Sequence, residues 1–371
     1  MQADFHYYAT YALARAAGLK PRAAGIIATA AQYVDDATQP TLALQPEGIP
    51  LVPEVTAHTT FDVHNTQVLK NTTSDDQRKV WVPFHFLPGA RGSALSEKLV
   101  CEMDSEVAHE LVGYAVSRVT EPFGLELLGT VAHTYADTFS HHGFSGVSSR
   151  RNRVEPSTIE IQTPNVEEAA FLGAKLSVYQ KRSEVGLLAN FRNVFGAVLN
   201  AGALGHGSVE TCPDQPFLIW SFDYLGYEDR PRIPSGDRNN PLDYIAASGK
   251  LYDMFVGARR AAETSLADPA GQRPFNEISG TLTTLIWTVA NKEKRAAAWK
   301  SAASAGQLFN GDQAIPDYDV EVMDGSRKNL CSLQGDSDVR SERAYRFYQA
   351  AAIHRCYVLR ELLPKHGVVV V

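Results

Sequence analysis

Residues 121–141, EPFGLELLGTVAHTYADTFSH, decide which fold the chain is expected to adopt. Pro122 suits the first turn of a helix, where the N–H that proline lacks would have no partner. Apolar and aromatic side chains then recur at helical spacing: Phe123, Leu127, Leu128, Val131 and Tyr135. This pattern predicts a long helix over residues 121–141 with one face toward a core.

The same helix carries three polar residues on one face. His133, Asp137 and His141 are four residues apart, so successive side chains are offset by only about 40° around the helix. Burying such groups without partners costs several kcal/mol, whereas zinc readily binds imidazole nitrogen and carboxylate oxygen. The spacing therefore predicts metal ligands. His142 and Gly143 follow directly, and His142 is an alternative ligand to His141.

Further candidate ligands are found in four short segments of the chain. These are Asp4 and His6 in DFHYY, Asp35 and Asp36 in AAQYVDDA, His85 in VPFHFLPG, and His206, Glu210 and Asp214 in LGHGSVETCPDQP. Taken singly, each has an ordinary structural explanation, such as an acid at a helix end or a hydrogen-bonded buried histidine. Together they supply the donors that a site with several metal ions needs.

Helical periodicity dominates the rest of the chain. It predicts helices over residues 9–17, 21–37, 104–118, 165–181, 184–201, 242–262, 275–303 and 341–363. Residues 80–88, VWVPFHFLP, are β-like in composition, and the acidic stretch 307–338 is typical of a surface loop. We therefore expect one all-α domain over residues 1–371 with long loops. Its metal-ligand segments lie within 1–220, and its C-terminal helices, 241–364, complete the core.

The composition excludes several classes of function. The 371 residues are 44% hydrophobic and carry a formal net charge of −7. Because the chain has no basic run, it lacks a general nucleic-acid-binding patch. A phosphate-bearing substrate would therefore need a local source of positive charge at its binding site. The four cysteines are scattered with no CxxC pair, which argues against a thiolate zinc site.

The ends and apolar runs of the sequence bear on its location. The N-terminus, MQADFHYYAT, lacks the basic start and apolar segment of a secretory signal. No apolar run reaches the ~18 residues that a transmembrane helix needs. We therefore expect a soluble, cytoplasmic protein unless another route exports it.

The order of the candidate ligands resembles that of the zinc-dependent phospholipase C and single-strand nuclease superfamily. The resemblance rests on His6, YVD at 33–35, FHF at 84–86, His-x3-Asp at 133–137, His141 and His206-x3-Glu210. More closely, DFHYYATY, AQYVDD, PFHFLPG and HTYADTFSHHGFSG look like a bacterial family of uncharacterised relatives of those enzymes. The superfamily is all-α and binds a cluster of three zinc ions, so the resemblance implies that fold and a site with two or three zinc ions.

Carried over residue by residue, the resemblance implies three ligand groups. Asp35, His85, His133 and Asp137 hold one zinc, Asp137 bridges to a second zinc near His6, and His141, His206 and Glu210 hold the third. Asp4 takes the place of the N-terminal tryptophan that those enzymes use. Three positions have a second candidate: His142 for His141, Asp214 for Glu210, and His58 or His64 for His85.

The resemblance also implies an activity, the hydrolysis of a phosphodiester by metal-activated water. The substrate is a phospholipid or a nucleic acid strand, and the sequence makes no prediction of oligomeric state. Asp35 or Asp36, whichever does not bind zinc, would orient the water or act as a general base. The second hypothesis is a non-catalytic metal-binding or interaction protein on the same helical scaffold.

Overall fold

The computed structural model describes residues 1–38, 43–44, 50–51, 53–58, 74–162, 204–225, 232–330 and 336–370. Most of these residues are helical. The longer α-helices are Thr10–Ala16, Pro21–Asp36, Glu106–Val116, Gly124–Ser140, Asn240–Ala261, Phe275–Ile286, Lys292–Ser304, Val320–Asn329, Asp336–Ser341 and Arg343–Tyr357. Short helices are Ser74–Asp76, Leu95–Lys98, Glu263–Leu266 and Leu363–Lys365, with π-helical segments Asp4–Ala9, Gln77–His85 and Val358–Leu362. The predicted helices over 165–181 and 184–201 lie outside the described residues.

Helix Gly124–Ser140, the central helix from here on, runs through the middle of the molecule. Sixteen of its 17 residues are buried. It packs against four other helices, Pro21–Asp36, Glu106–Val116, Asn240–Ala261 and Arg343–Tyr357. At Gly129 a Cβ atom would lie 2.3 Å from the Ile27 carbonyl oxygen, so glycine permits the close approach of helix Pro21–Asp36. Because this helix is covered on all sides, its polar residues are forced into the interior.

In the described part of the chain, strands are short and form three small antiparallel sheets. Ala43–Leu44 pairs with Pro50–Leu51, and Asp223–Tyr224 pairs with Ile233–Pro234. The third sheet has the order Glu160–Gln162, Ile219–Ser221, Arg238–Asn239. It lies over a second apolar cluster that includes Phe86, Phe144, Trp220 and Phe222, beside the C-terminal end of the central helix. The expected all-α chain is therefore mostly helical with short strands. No helix within the described ranges is long and apolar enough to cross a membrane.

The β-like segment is helical, contrary to the prediction. Gln77–His85 forms a π-helix, and only Pro88, just beyond it, makes an isolated bridge, to Cys101, among the residues described. The segment packs against the central helix and helix Arg343–Tyr357, and Val80, Val82 and Phe84 are buried. Packing against these helices outweighs the β propensity of the segment, because such propensities mainly reflect burial.

Two further helix predictions need correction, and both corrections involve helix caps. The predicted helix over 275–303 is divided, and the second part begins where the Asn291 side chain accepts a hydrogen bond from the Lys294 N–H. The predicted loop over 307–338 contains helix Val320–Asn329, which Asp319 caps in the same way at Glu321. These helices are only weakly apolar, so hydrophobic periodicity does not mark where they begin. Their cap residues do.

A buried ion pair ties the N-terminal segment to helix Lys292–Ser304. The Arg295 guanidinium donates to both carboxylate oxygens of Asp4, at 2.7 and 3.1 Å, and to the Gln2 side chain at 2.7 Å. The side chains of Arg295 and Asp4 are only 1% and 4% exposed. This pair fixes the π-helical turn Asp4–Ala9.

We expect Arg295→Met to lower the free energy of unfolding by about 3–5 kcal/mol, because it leaves the Asp4 carboxylate buried and unpaired. Urea denaturation of the full chain measures the change. Arg232→Met is the matched control, since its ion pair with Glu155 is 55% exposed on the arginine side and surface pairs contribute only about 0–1 kcal/mol. Equal effects of the two substitutions would contradict this account.

Candidate metal centre

Asp137 lies at the centre of a cluster of histidines and aspartates. Its Oδ1 atom is 3.2 Å from Nε2 of His6 and 2.8 Å from the α-amino nitrogen of Met1. Its Oδ2 atom is 3.2 Å from Nε2 of His133 and 3.3 Å from Nδ1 of His85. The central helix thus aims this carboxylate at donors from the N-terminal segment and from the π-helix Gln77–His85.

Asp35 approaches the same histidines from another side. It stands near the end of helix Pro21–Asp36, with Oδ1 3.8 Å from Nε2 of His133 and 3.9 Å from Nδ1 of His85. Its side chain keeps 32% of its surface exposed, whereas that of Asp137 keeps 1%. Asp35 therefore lies at the solvent side of the cluster.

A loop brings the third set of donors. Nε2 of His141 is 3.1 Å from Oδ1 of Asp214, and Nε2 of His206 is 3.8 Å from Oδ2 of the same carboxylate. The two loop residues are carried by the turns around Gly207–Val209 and Cys212–Asp214. Among the residues that the structure describes, donor atoms within 4.8 Å of one another thus form three groups: His6, His133 and Asp137; Asp35, His85 and His133; and His141, His206 and Asp214.

Four of these histidines are held by backbone carbonyls. The bonds are His133 Nδ1 to Ala31 O at 2.8 Å, His85 Nε2 to Thr56 O at 2.8 Å, His141 Nδ1 to His85 O at 2.9 Å, and His206 Nδ1 to Glu210 O at 2.8 Å. A carbonyl oxygen only accepts, so each of these nitrogens carries the proton. In a neutral imidazole the opposite nitrogen then presents a lone pair to the cluster.

The lone pairs of these imidazole nitrogens face other hydrogen-bond acceptors. Nε2 of His133 and Nδ1 of His85 are 3.2 Å apart, and both face the Asp137 carboxylate. Acceptors at this spacing repel unless a proton or a metal ion lies between them. Burial lowers the pKa of His206 to about 4, so at neutral pH that ring carries no second proton. Metal-binding histidines commonly have this arrangement, in which the nitrogen away from the metal donates its N–H to a backbone carbonyl.

The pKa of His85 is shifted in the opposite direction from that of His206. Burial opposes its charged form, but the hydrogen bond with Asp137 and the attraction of Asp35 raise the pKa of the ring. A metal ion at this position would displace a proton, as happens wherever imidazole binds a cation.

The surroundings of His6 indicate whether a cation would fit into the cluster. The ring is fully buried and stacks on His133 with centroids 3.8 Å apart. Nδ1 has no hydrogen-bond partner within the described parts of the chain, and Nε2 faces only the Asp137 carboxylate, at 3.2 Å and without hydrogen-bond geometry. Burial lowers the pKa of the ring well below the usual value. Leaving buried polar atoms unsatisfied is costly, and a metal ligand role for His6 removes that cost.

The α-amino group of Met1 also reaches the cluster. Burial would lower its pKa, but Asp137, Asp214 and Asp35 raise it from 8.0 to about 11. The resulting ammonium lies 3.1 Å from Oδ1 of Asp214 as well as 2.8 Å from Asp137. No pattern of side chains in the sequence signals this contact.

Three of the predicted site residues lie outside the groups. Asp4 differs from the prediction because its carboxylate is bound by Arg295. Asp36 accepts hydrogen bonds from the Tyr318 hydroxyl at 2.6 Å and from the Gln32 amide. Asp214 takes the place of Glu210 in the third group: with φ of 52°, Glu210 contributes its carbonyl to His206 instead of its carboxylate.

The structure also distinguishes the histidines that compete for one ligand position. His141 lies in the third group, whereas Nε2 of His142 is 3.4 Å from Asp243. His85 lies in the second group, His58 contacts Asp76, and His64 is outside the described residues.

A cavity of about 380 Å³ opens over the cluster. Its walls include the carboxylates of Asp35, Asp137 and Asp214 together with Trp81 and Phe86. The cluster is therefore reached from a pocket that is lined by both polar groups and aromatic rings, which is typical of small-molecule sites.

Comparison with known proteins gives a family but no activity. No curated protein and no solved structure matches the chain. A model described as a family of unknown function (DUF6765) matches residues 1–362, a range that includes every donor of the three groups. The chain therefore belongs to this family of unknown function, DUF6765.

Proposed function

We propose that the protein is a zinc-dependent hydrolase that cleaves phosphodiesters, with a fold like that of the zinc-dependent phospholipase C and single-strand nuclease superfamily. The observation that carries the proposal is the arrangement of the four anchored histidines. Each donates one ring N–H to a backbone carbonyl and turns the other nitrogen toward Asp35, Asp137 or Asp214. Only cations make such a set of converging acceptors favourable.

The donor set supports two or three zinc ions. It contains imidazole nitrogen and carboxylate oxygen without thiolate, as catalytic zinc sites commonly do. Nε2 of His133 belongs to two of the three groups, because its Nδ1 is bonded to Ala31. One lone pair binds one ion, so His133 can serve only one of these two groups at a time. Asp137, which contacts both His6 and His85 through different oxygens, is suited to bridge them.

Zinc supplies two things in such a site: it lowers the pKa of bound water to about 7, and it stabilises charge on phosphoryl oxygens. The residues of the chain hold the cations and orient the reactants. Asp35 lines the cavity with a partly exposed carboxylate, and it would act as the general base only in place of its ligand role in the second donor group. Asp36, the other candidate, already accepts from Tyr318.

The cavity is large enough for the phosphate of a phosphodiester together with one of its two ester substituents. Its volume of about 380 Å³ falls at the lower end of ligand pockets, which span about 300–1,000 Å³. Trp81 and Phe86 provide apolar surface beside the anionic cluster. This combination matches a substrate with a charged phosphate and an apolar or aromatic substituent.

We expect the purified full chain to contain two or three zinc ions and to hydrolyse bis-p-nitrophenyl phosphate. Elemental analysis by mass spectrometry measures the metal, and chelation followed by readdition of zinc tests whether turnover depends on it. Less than one metal ion per chain after zinc reconstitution would contradict the proposal. Full metal loading without turnover would favour a non-catalytic metal-binding protein.

We expect Asp137→Asn to remove at least one zinc ion and to lower kcat by about 10²-fold or more, because an amide does not bridge cations and several kcal/mol of transition-state stabilisation are lost. Circular dichroism checks that the helices persist. Asp104→Asn is the control: this aspartate has φ of 52°, which asparagine tolerates, and it contacts His109 and Lys250 outside the cluster. Retained metal and turnover in Asp137→Asn would place the chemistry elsewhere.

Variants of two acidic residues in one loop test which of them is the ligand in the third donor group. We expect Asp214→Asn to release a zinc ion, since its carboxylate contacts both His141 and His206. Glu210→Gln should keep the metal, because Glu210 acts through its backbone carbonyl. Zinc content of the two variants, measured side by side, checks this. The reverse result would restore Glu210 as the ligand.

A further inference from the structure

We propose that Arg238 and Asn240 are positioning residues that build the third donor group; this assignment rests on the metal site of the proposed function. Arg238 holds the end of the central helix, which leads into His141, and Asn240 holds the loop that carries Asp214. Among the described residues, neither is a donor of the group or part of the cavity wall. Both therefore act on the metal site through the residues that bind the ion.

The Arg238 guanidinium holds the backbone on both sides of His141. Its Nη1 atom donates to the carbonyl of His142 and its Nη2 atom to the carbonyl of Ser140, each at 2.8 Å. Ser140 is the last residue of the central helix, and the final carbonyls of a helix have no partner within it. The rigid fork of arginine suits two oxygens at a fixed spacing. The ligand between them thus keeps the backbone position from which its Nε2 lies 3.1 Å from Asp214.

The surroundings of Arg238 explain how a charge is tolerated in the interior. The residue is only 4% exposed. Its guanidinium carbon lies 5.2 Å from the ring centroid of Trp220 and 5.6 Å from that of Phe144. Aromatic faces and the negative end of a helix both stabilise a cation. An uncharged residue would fill the space beside these rings without the cost of burying a charge, so the two carbonyl contacts are what the guanidinium adds.

Asn240 holds the loop that carries the second ligand. Its Nδ2 atom donates to the carbonyls of Cys212 and Gln215, both at 2.7 Å, and Asp214 lies between these two residues in the chain. Its Oδ1 atom accepts the indole N–H of Trp220 at 3.0 Å. Because an indole nitrogen only donates, this bond fixes which way the amide points. Asn240 is 1% exposed, so its contacts with the loop are shielded from water.

One short segment of the chain therefore sets both ligands. Arg238 and Asn240 are two positions apart, where a strand of the three-stranded sheet leads into helix Asn240–Ala261. Tyr244, one turn further along that helix, donates its hydroxyl to the Pro213 carbonyl at 3.1 Å. The end of the central helix and the loop are thus tied to the same few residues, and this tie fixes the distance between the ligands that they carry.

The test is the affinity of the metal-free full chain for zinc, measured by titration in competition with a chelating indicator. For Arg238→Lys we expect one zinc ion to bind about 10–100-fold more weakly and the remaining zinc as in the wild type, since partners that orient metal ligands typically contribute that factor. Lysine keeps the charge but lacks the planar fork that holds two carbonyls. Asn240→Asp should weaken the same ion, because a carboxyl group has at most one hydrogen to donate where the amide has two.

Arg15→Lys is the matched control for the loss of a buried guanidinium. Arg15 is 1% exposed, lies 5.3 Å from the ring centroid of Phe309 and donates to backbone carbonyls, among them that of Leu19 at 2.6 Å. It belongs neither to the donor groups nor to the cavity wall, as far as the structure describes the chain. This variant should bind all its zinc with wild-type affinity. If it loses zinc as Arg238→Lys does, general destabilisation explains the loss and the assignment is overturned.

A double variant separates positioning from a purely structural role. On the proposed function Asp214→Asn already releases the ion of the third group, so adding Arg238→Lys should weaken zinc binding no further. Independent effects add, whereas effects on one shared site do not. An additive loss of affinity for the remaining zinc would overturn the assignment. Circular dichroism checks that the helices persist, and Asn240→Asp carries the same test if Arg238→Lys does not fold.

The outcomes distinguish this assignment from the proposed function. If the wild type binds no zinc, both fall. If it binds zinc and the two variants keep every ion at wild-type affinity, or lose all ions alike, the positioning role alone is overturned. If the wild type binds zinc but hydrolyses no phosphodiester, the hydrolase function falls, and selective weakening of one ion in the two variants still supports the positioning role.

Discussion

A buried carboxylate, Asp137, is the constraint on which the rest of the structure depends. Burial alone would raise the pKa of Asp137, but His141, the Met1 ammonium and His133 outweigh burial and hold it well below its usual range. An ionised group in the interior must be compensated. Donors from the N-terminal segment, the π-helix Gln77–His85 and the central helix itself converge on it for that reason. The helical packing is arranged around this charge.

The geometry of the centre is tied to the packing of the helices through backbone anchors. The carbonyls that hold His133, His85 and His206 belong to three different parts of the chain, residues 31, 56 and 210. Contact between the central helix and helix Pro21–Asp36 at Gly129 sets the distance between His133 and its anchor. Because a backbone carbonyl fixes one nitrogen of each of these rings, the fold itself holds the donor groups in position.

The sequence predicted the local part of this centre and not the long-range part. The spacing of His133, Asp137 and His141 follows from helix periodicity, so their common face could be predicted from the sequence. The choice between Glu210 and Asp214 depends on a positive φ in a loop, to which no periodicity applies. Asp4 was predicted as a ligand in place of the N-terminal tryptophan of the resembling enzymes. Its actual partner, Arg295, lies 291 residues away in the chain, where no local pattern points to it. Similarly, the helix Gln77–His85 is determined by its neighbours and not by its composition.

On the proposed function, bound metal ions would reverse the electrostatic character of the site and would let an acidic protein accommodate an anionic substrate. The three aspartates give the cluster a negative field, and the formal charge of the whole chain, −7, adds to the repulsion of phosphate. Two divalent ions would exceed the charge of three carboxylates, and a third would make the excess larger. The local field would then attract phosphate while the surface stays acidic. The proposal therefore couples substrate binding to metal binding by charge as well as by coordination.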